Sequence, residues 1–372
     1  MTISAAATGI RFAELEDSVV TAELADGRRV TLHVLALRDL CPCPDCRHPV
    51  SGQRLFETAS VLPRTRASAV AVSDEGTLLL DWENGHRSIF DAAELAAVAA
   101  PQAAAPQRTL WDASLGSALP WHTWGEVASE DGALALWLRD AAELGFSLLR
   151  GVPPIDGAVA DVAERFGAVR ETNYGRIFDV RVAVDATNLA DTALPLSPHT
   201  DNPYRRPTPT LQLLHCVASD VAGGETVLVD GFAIVGRLAA AEPHQLALLA
   251  RTPIRYAYRD AGAELATDVS VVTLNGDGVP IGLHLNNRSK GVPAGPPERV
   301  EEWYEAYLAL LALVDDPAQQ VVLRLEAGDL VLFDNERILH GRTGFASGGT
   351  RHLQGCYADR DGLLSTLAVL ER

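Results

Sequence analysis

Pro198-His199-Thr200-Asp201-Asn202 sets a histidine and an aspartate two residues apart in a turn-rich stretch, and a second candidate histidine stands far downstream in Asn335-Glu336-Arg337-Ile338-Leu339-His340-Gly341. In extended backbone the side chains of i and i+2 point to one side, so His199 and Asp201 can grip one ion together. A later strand can bring His340 to close a face of three ligands. Two neutral imidazoles and one carboxylate leave coordination positions open, the donor set suited to non-haem Fe(II) chemistry. The spacing by itself equally fits an ordinary core or surface histidine, so the rest of the chain must decide.

Around this stretch the chain is mostly β. Runs at 211–216, 226–230, 252–258, 269–274, 281–285, 321–325, 330–333 and 352–357 read as short strands, interrupted by helices at about 231–241 and 297–314. Before them, 131–144 carries Leu134, Trp137, Leu138 and Ala141 at helical spacing behind an Asp-Gly that can cap it; Gly145 ends it, 146–152 reads as a strand and 159–166 as a short helix. Many short strands with few helices predict a mainly β catalytic domain, a double-stranded β-helix or jelly roll, rather than a parallel α/β sheet. The mouth of such a fold lets two strands present His199, Asp201 and His340 to one ion.

The N-terminal third reads differently. Strands at 18–24 and 28–34 flank Asp26-Gly27, a hairpin signal. Cys41-Pro42-Cys43-Pro44-Asp45-Cys46-Arg47-His48 then puts three thiols in C-x-C-x-x-C spacing, close enough to wrap one ion, and thiolates select zinc. His48 is adjacent but strained as a fourth ligand. His86, after the strand at 77–82, is preferred. Three Cys and one His leave no open position, so this zinc would be structural, in a small α+β domain. The stretch Pro101-Gln102-Ala103-Ala104-Ala105-Pro106-Gln107 reads as a linker. The expected organisation is therefore 1–100 zinc-binding, 101–110 linker and 111–372 catalytic.

Composition narrows the function. A net charge of -18 over 372 residues argues against nucleic-acid or anionic-membrane partners. With 47% hydrophobic residues and a mean hydropathy near zero, the chain has ample material for a core. The N-terminus has no signal-peptide pattern and no run of 18 apolar residues occurs, so a cytoplasmic protein is expected.

His199-Thr200-Asp201, Gly223-Gly224-Glu225-Thr226, Leu339-His340-Gly341-Arg342 and Arg351-His352-Leu353-Gln354-Gly355-Cys356-Tyr357-Ala358-Asp359 resemble the catalytic domain of the Fe(II)/2-oxoglutarate oxygenases of the taurine dioxygenase and γ-butyrobetaine hydroxylase group. The Cys-rich segment with Gly85-His86 resembles the zinc domain that precedes it in the γ-butyrobetaine branch. The resemblance implies Fe(II) on His199, Asp201 and His340, with O2 and 2-oxoglutarate as co-substrates and succinate and CO2 as by-products of a C–H hydroxylation. It assigns Arg351 to the distal carboxylate of 2-oxoglutarate, a role its planar fork suits. Thr226 and Leu214 would complete that pocket, while Arg342 supports it. A homodimer is also implied.

For the substrate, the resemblance implies an aromatic cage for a trimethylammonium group, which attracts a cation through the ring quadrupole. Tyr174, Phe178 and Tyr357 match three cage positions; Asp191 and Asn202 stand where the family has aromatics. Asn188 and Asn286-Asn287-Arg288 match the region that receives the anionic end, and Arg288-Ser289-Lys290 carries more positive charge than a carboxylate needs. Arg288 and Lys290 also read as solvated loop charges, and Tyr256 with Tyr258 as packing on a strand. The leading expectation is a hydroxylase of a small trimethylammonium zwitterion, 2-trimethylaminoethylphosphonate ahead of γ-butyrobetaine, with trimethyllysine third. A sulfonate oxygenase fits the zinc domain and the Tyr/Phe pair poorly. A non-catalytic zinc-stabilised binding protein is the reading from another class.

Overall fold

The computed structural model describes residues 9–62, 65–99, 107–181, 192–346 and 349–372. The chain divides into two compact units, Met1–Ala105 and Pro106–Arg372. In the first, the strands Ile10–Glu16, Val19–Leu24 and Arg29–His33 form one antiparallel sheet, and Ala67–Val72, Leu78–Trp82 and Arg87–Phe90 form another. Alternate residues point inward, so Val20, Ala22, Leu24, Leu78, Leu80, Trp82 and Phe90 make one core with Leu37 of the helix Val34–Asp39. Burial of these side chains is what stabilises a unit this small, at roughly 1.5–3 kcal/mol each before chain entropy is set against it.

The second unit is a jelly roll. Leu196–His199, Ile338–Arg342, Thr226–Asp230 and Gln320–Leu323 form a four-stranded antiparallel sheet. The six-stranded sheet runs Trp121–Thr123, Phe146–Arg150, Leu330–Asp334, Leu211–Ser219, Arg351–Ala358, Phe178–Arg181, antiparallel except at its first pair. Phe146, Leu148, Val331 and Phe333 of the larger sheet meet Leu228, Val321, Leu323 and Ile338 of the smaller. The larger sheet is also covered outside, by the helices Asp131–Leu144, Ala158–Ala163 and Arg360–Leu370. That is why its central strands read as continuous apolar runs instead of alternating ones.

Helix Asp131–Leu144 buries Leu134, Trp137, Leu138 and Ala141, its predicted face. Its N-cap is Glu130, with no side-chain cap bond; Asp131 lies in the first turn, where a carboxylate favours the helix dipole. Gly145 ends it at φ +82°, and a Cβ there would come within 2.8 Å of Ile338 Cδ1. The residues at the end of the predicted linker are tied into this unit: Thr109 N donates to Glu143 O at 2.9 Å and its carbonyl accepts from Arg337 at 2.7 Å.

Beyond 230 the structure holds elements that the apolar pattern does not announce. The helices Pro243–Arg251 and Arg360–Leu370 were not expected. Nor was Glu264–Val269, which pairs with Ile254–Arg259 as a hairpin outside both sheets. Its residues alternate between exposed and half-buried, so the run lacks the buried apolar face that marks a strand in sequence. The run expected at 269–274 is interrupted, with Val272–Leu274 pairing to Pro280–Leu283. No helix among the described residues is long and apolar enough to cross a membrane.

Candidate metal centres and active site

His199 and His340 are direct register partners on neighbouring strands of the smaller sheet, and their rings lie 4.4 Å apart. Asp201 is not a continuation of that strand. The strand ends at His199, and a turn with Asn202 at φ +55° swings Asp201 back over the pair. Asn335, fully buried, holds the turn: its Oδ1 accepts from Asp201 N at 2.7 Å and its Nδ2 donates to the carbonyls of Asp201 and Pro209, both at 2.9 Å. The i and i+2 geometry expected from sequence is thus replaced by a clamped turn, with the same convergence. Asp201 Oδ1 lies 3.4 Å from His199 Nε2 and Oδ2 3.8 Å from His340 Nε2. All three donor atoms lie within 4.8 Å of one another.

Charge and hydrogen bonds prepare these donors for a cation. His199 Nδ1 is taken by Ser197 O at 2.9 Å, leaving Nε2 for the ion. Burial, reinforced by His199, pushes His340 down to about 3, against the pull of Asp201. The imidazole is therefore neutral at physiological pH. Burial raises Asp201, but the contacts with His199, His340 and the Tyr357 hydroxyl win and hold it well below the carboxylate range. Two imidazole nitrogens and an anionic oxygen, with both histidines buried and Asp201 partly so, fit Fe(II) with open positions on the cavity side.

In the N-terminal unit, Cys41, Cys43, Cys46 and His86 converge within 4.8 Å of one another. His86 Nε2 lies 3.3, 3.8 and 3.6 Å from the three sulfurs in that order. Zinc with bonds of about 2.3 Å to sulfur and 2.0 Å to nitrogen needs tetrahedral edges of about 3.5 Å, so the cluster fits. The turn between Leu78–Trp82 and Arg87–Phe90 delivers His86, with Gly85 at φ +80°. His48 is excluded: its Nδ1 accepts from Ser51 N at 3.1 Å in its own turn. Burial pushes the Cys41 thiol up to about 11, so a metal is needed to make it a thiolate ligand.

A cavity of about 830 Å3 opens from the His199, Asp201 and His340 face. Arg351, Thr226 and Leu214 are among the residues that line it. Arg351 is buried and donates to Gly224 O at 3.3 Å, leaving the other donors of its fork for a carboxylate. Arg342 also lines the cavity, but its guanidinium donates to the carbonyls of Thr192 and Leu194 and so holds the chain entering the first iron strand.

Tyr174, Phe178 and Tyr357 also line the cavity and meet one another, with Phe178 stacked on Tyr357 at 5.0 Å and 6.3 Å from Tyr174. Gly355 makes room for Phe178, whose ring fills the space a Cβ would take. Tyr357 is more than a wall, since its hydroxyl donates to Asp201 Oδ2 at 3.0 Å. Asn202, expected as a polar gap in the cage, is buried and its Oδ1 accepts from Tyr204 OH at 2.6 Å. Tyr204 in turn lies 2.8 Å from Tyr174 OH and stacks on Tyr258 at 5.1 Å. The aromatic wall thus includes two tyrosines that sequence reasoning did not assign to it. Tyr256 does pack, as expected, donating to His284 O at 2.5 Å, but Tyr258 lines the cavity.

At the anionic-end region the expectations separate. Asn286 and Arg288 line the cavity. Asn286 spends its amide on the loop, donating to Thr200 O at 2.9 Å and accepting from Arg288 N at 3.1 Å. Asn287 does not line the cavity; it is exposed and accepts from Tyr307 OH at 2.7 Å. Lys290 is likewise drawn away, 5.1 Å from the ring centres of both Tyr304 and Tyr307. Asn188 and Asp191 lie outside the described residues.

Residues 114–357 match the profile of the taurine catabolism dioxygenase TauD, TfdA family. The chain belongs to that family. Residues 13–96 match the γ-butyrobetaine hydroxylase-like N-terminal domain, so this TauD-family member carries both parts of the γ-butyrobetaine branch. The chain is 37% identical to the γ-butyrobetaine dioxygenase of Pseudomonas sp. (strain AK-1), over 95% of this chain and 94% of that one. It is 30% identical to the human γ-butyrobetaine dioxygenase, over 90% of each, and 30% identical to the mitochondrial trimethyllysine dioxygenase of Gallus gallus, over 90% of this chain and 82% of that one. An asparagine oxygenase solved with Fe(II), a hydroxyasparagine and succinate shares the fold at 22% identity and a TM-score of 0.50, over 63% of this chain and 80% of that one. The protein is an Fe(II)- and 2-oxoglutarate-dependent dioxygenase, a hydroxylase related to γ-butyrobetaine dioxygenase.

Proposed function

We propose that this dioxygenase hydroxylates a small trimethylammonium zwitterion, and first of all 2-trimethylaminoethylphosphonate at the carbon next to phosphorus. His199, Asp201 and His340 would hold the iron, and Arg351 with Thr226 and Leu214 would seat 2-oxoglutarate. Bound iron and 2-oxoglutarate supply the oxidising power for C–H hydroxylation, with succinate and CO2 released. The chain's own part is positioning. The rings of Tyr174, Phe178, Tyr204, Tyr258 and Tyr357 offer faces to a quaternary ammonium. Tyr357 also steadies Asp201, so the cage is coupled to the metal face.

One observation carries the choice of anionic end. Arg288 lines the same cavity as His199, Asp201 and His340; burial lowers its pKa, and the negative charge of Asp201 opposes that shift. A cation beside the iron ligands suits an anionic head directly attached to the reacting carbon. A dianionic phosphonate uses its forked donors better than a monoanion does. γ-Butyrobetaine is the second reading, favoured by the 37% identity to a γ-butyrobetaine dioxygenase. Succinate release and mass detection of the hydroxylated product, compared for the phosphonate, γ-butyrobetaine and trimethyllysine, test both. Higher kcat/KM for the phosphonate is expected, and preference for γ-butyrobetaine would replace the first reading with the second. Background turnover with all three would sink the trimethylammonium class.

A further inference from the structure

The hairpin Ile254–Arg259/Glu264–Val269 belongs to neither sheet of the jelly roll, yet Ala257 to Asp260 line the cavity. It is anchored to the loop that carries Arg288, since Ala257 N donates to Ser289 O at 2.9 Å. Tyr258 is built into the aromatic wall, stacked on Tyr204 at 5.1 Å and edge-on to Tyr174 at 5.7 Å. Its hydroxyl donates to Asp260 Oδ2 at 2.5 Å. The other carboxylate oxygen accepts from Gly262 N at 2.7 Å and Ala263 N at 2.6 Å. Three donors therefore fix one negative charge at the edge of the ring cluster.

Two other charged side chains line the cavity near this wall, each with its own local partner. Asp179 accepts from His352 at 2.7 Å and Gln354 at 3.0 Å, and Arg259 faces Glu264 at 3.7 Å. The hydrogen bonds from Tyr258, then Gly262 and Ala263, hold the Asp260 carboxyl below its ordinary range, so it is anionic at neutral pH. A phenol that donates to a carboxylate also has a more electron-rich ring face, which strengthens its attraction for a cation.

We propose that Tyr258 and Asp260 form a specificity element of the hairpin, selecting a permanently cationic end of the substrate over an uncharged group of the same shape. The assignment rests on the trimethylammonium reading above. Neither residue contributes to the iron or 2-oxoglutarate sites, so its effect is confined to discrimination between substrates.

The test is titration of the anaerobic enzyme, loaded with Fe(II) and 2-oxoglutarate, with 2-trimethylaminoethylphosphonate and with its uncharged-end isostere 3,3-dimethylbutylphosphonate. Asp260→Asn should weaken binding of the cationic compound about threefold, and the loss should shrink at high salt, because the carboxylate is exposed. Tyr258→Leu should weaken it about tenfold, and Tyr258→Phe, which keeps the ring, should behave like Asp260→Asn. The isostere should bind Asp260→Asn and Tyr258→Phe as it binds the unmodified protein, and should lose clearly less than the cationic compound with Tyr258→Leu. Equal losses for both compounds, or no loss for either, would overturn the assignment. Failure of the unmodified enzyme to bind the cationic compound, with no succinate formed from it or from γ-butyrobetaine, would overturn the substrate class as well.

Discussion

Cys41, Cys43, Cys46 and His86 close around a point with four donors, whereas His199, Asp201 and His340 offer three donors to a cavity of about 830 Å3. The first set comes from one tight Cys-rich turn and one hairpin turn; the second is assembled from one strand pair and a clamped turn 134 residues from its clamp. A closed tetrahedron spends all its bonding on stability, while an open face keeps positions for reactants. The lesson is that one chain separates structural from reactive metal chemistry by donor count and by what stands opposite the donors.

The largest expected effect breaks the closed site. Cys43→Ser, or zinc removal by a chelator, should cost the N-terminal unit several kcal/mol, seen as early loss of its Trp82 signal in a denaturant melt. Removing iron under the same conditions should leave that signal in place. Next, Arg351→Ala should raise the KM for 2-oxoglutarate about a hundredfold, because a charge-assisted forked grip on a carboxylate is lost. Zinc content should not move.

A subtler break is Asn335→Ala. It removes the bonds that fold Asp201 over the two histidines, so iron affinity should fall about tenfold while the cavity's aromatic wall survives. A calorimetric iron titration checks this, and unchanged affinity would show that the turn holds itself. The smallest effect sharpens the contrast in burial. Burial pushes His284 down to about 4, with Ser270 O opposing, so the unfolded chain takes up its proton first as pH falls. Stability from this group is therefore full above about pH 6.5 and is lost as pH falls toward 4. Melts of His284→Gln should lose about 1–2 kcal/mol less than the unmodified protein across that window.

The Cys41, Cys43 and Cys46 cluster was legible from its short spacing, whereas His199 and Asp201 gained their distant partner His340 only through the resemblance of four separated motifs. The choice of His86 over His48 also followed from the turn at Gly85, which the strand pattern anticipates. The fold class was legible from the density of short apolar runs. What escaped was set by tertiary contacts. Asn335 carries no local signal; its role exists only because strands bring it against Asp201. Tyr258 looks like a packing residue until the hairpin places it on the cavity against Tyr204, and Glu264–Val269, without a buried apolar face, does not announce that hairpin. Asn287, beside two lining residues, points elsewhere because Tyr307 takes it.

The open and closed sites are expected to hold different metals by different residues. Metal content of the purified protein and of His199→Ala, both reconstituted anaerobically with Fe(II), tests it most directly. Stoichiometric zinc is expected in both and stoichiometric iron only in the unmodified protein. Iron retained by His199→Ala, or zinc lost from it, would contradict the assignment.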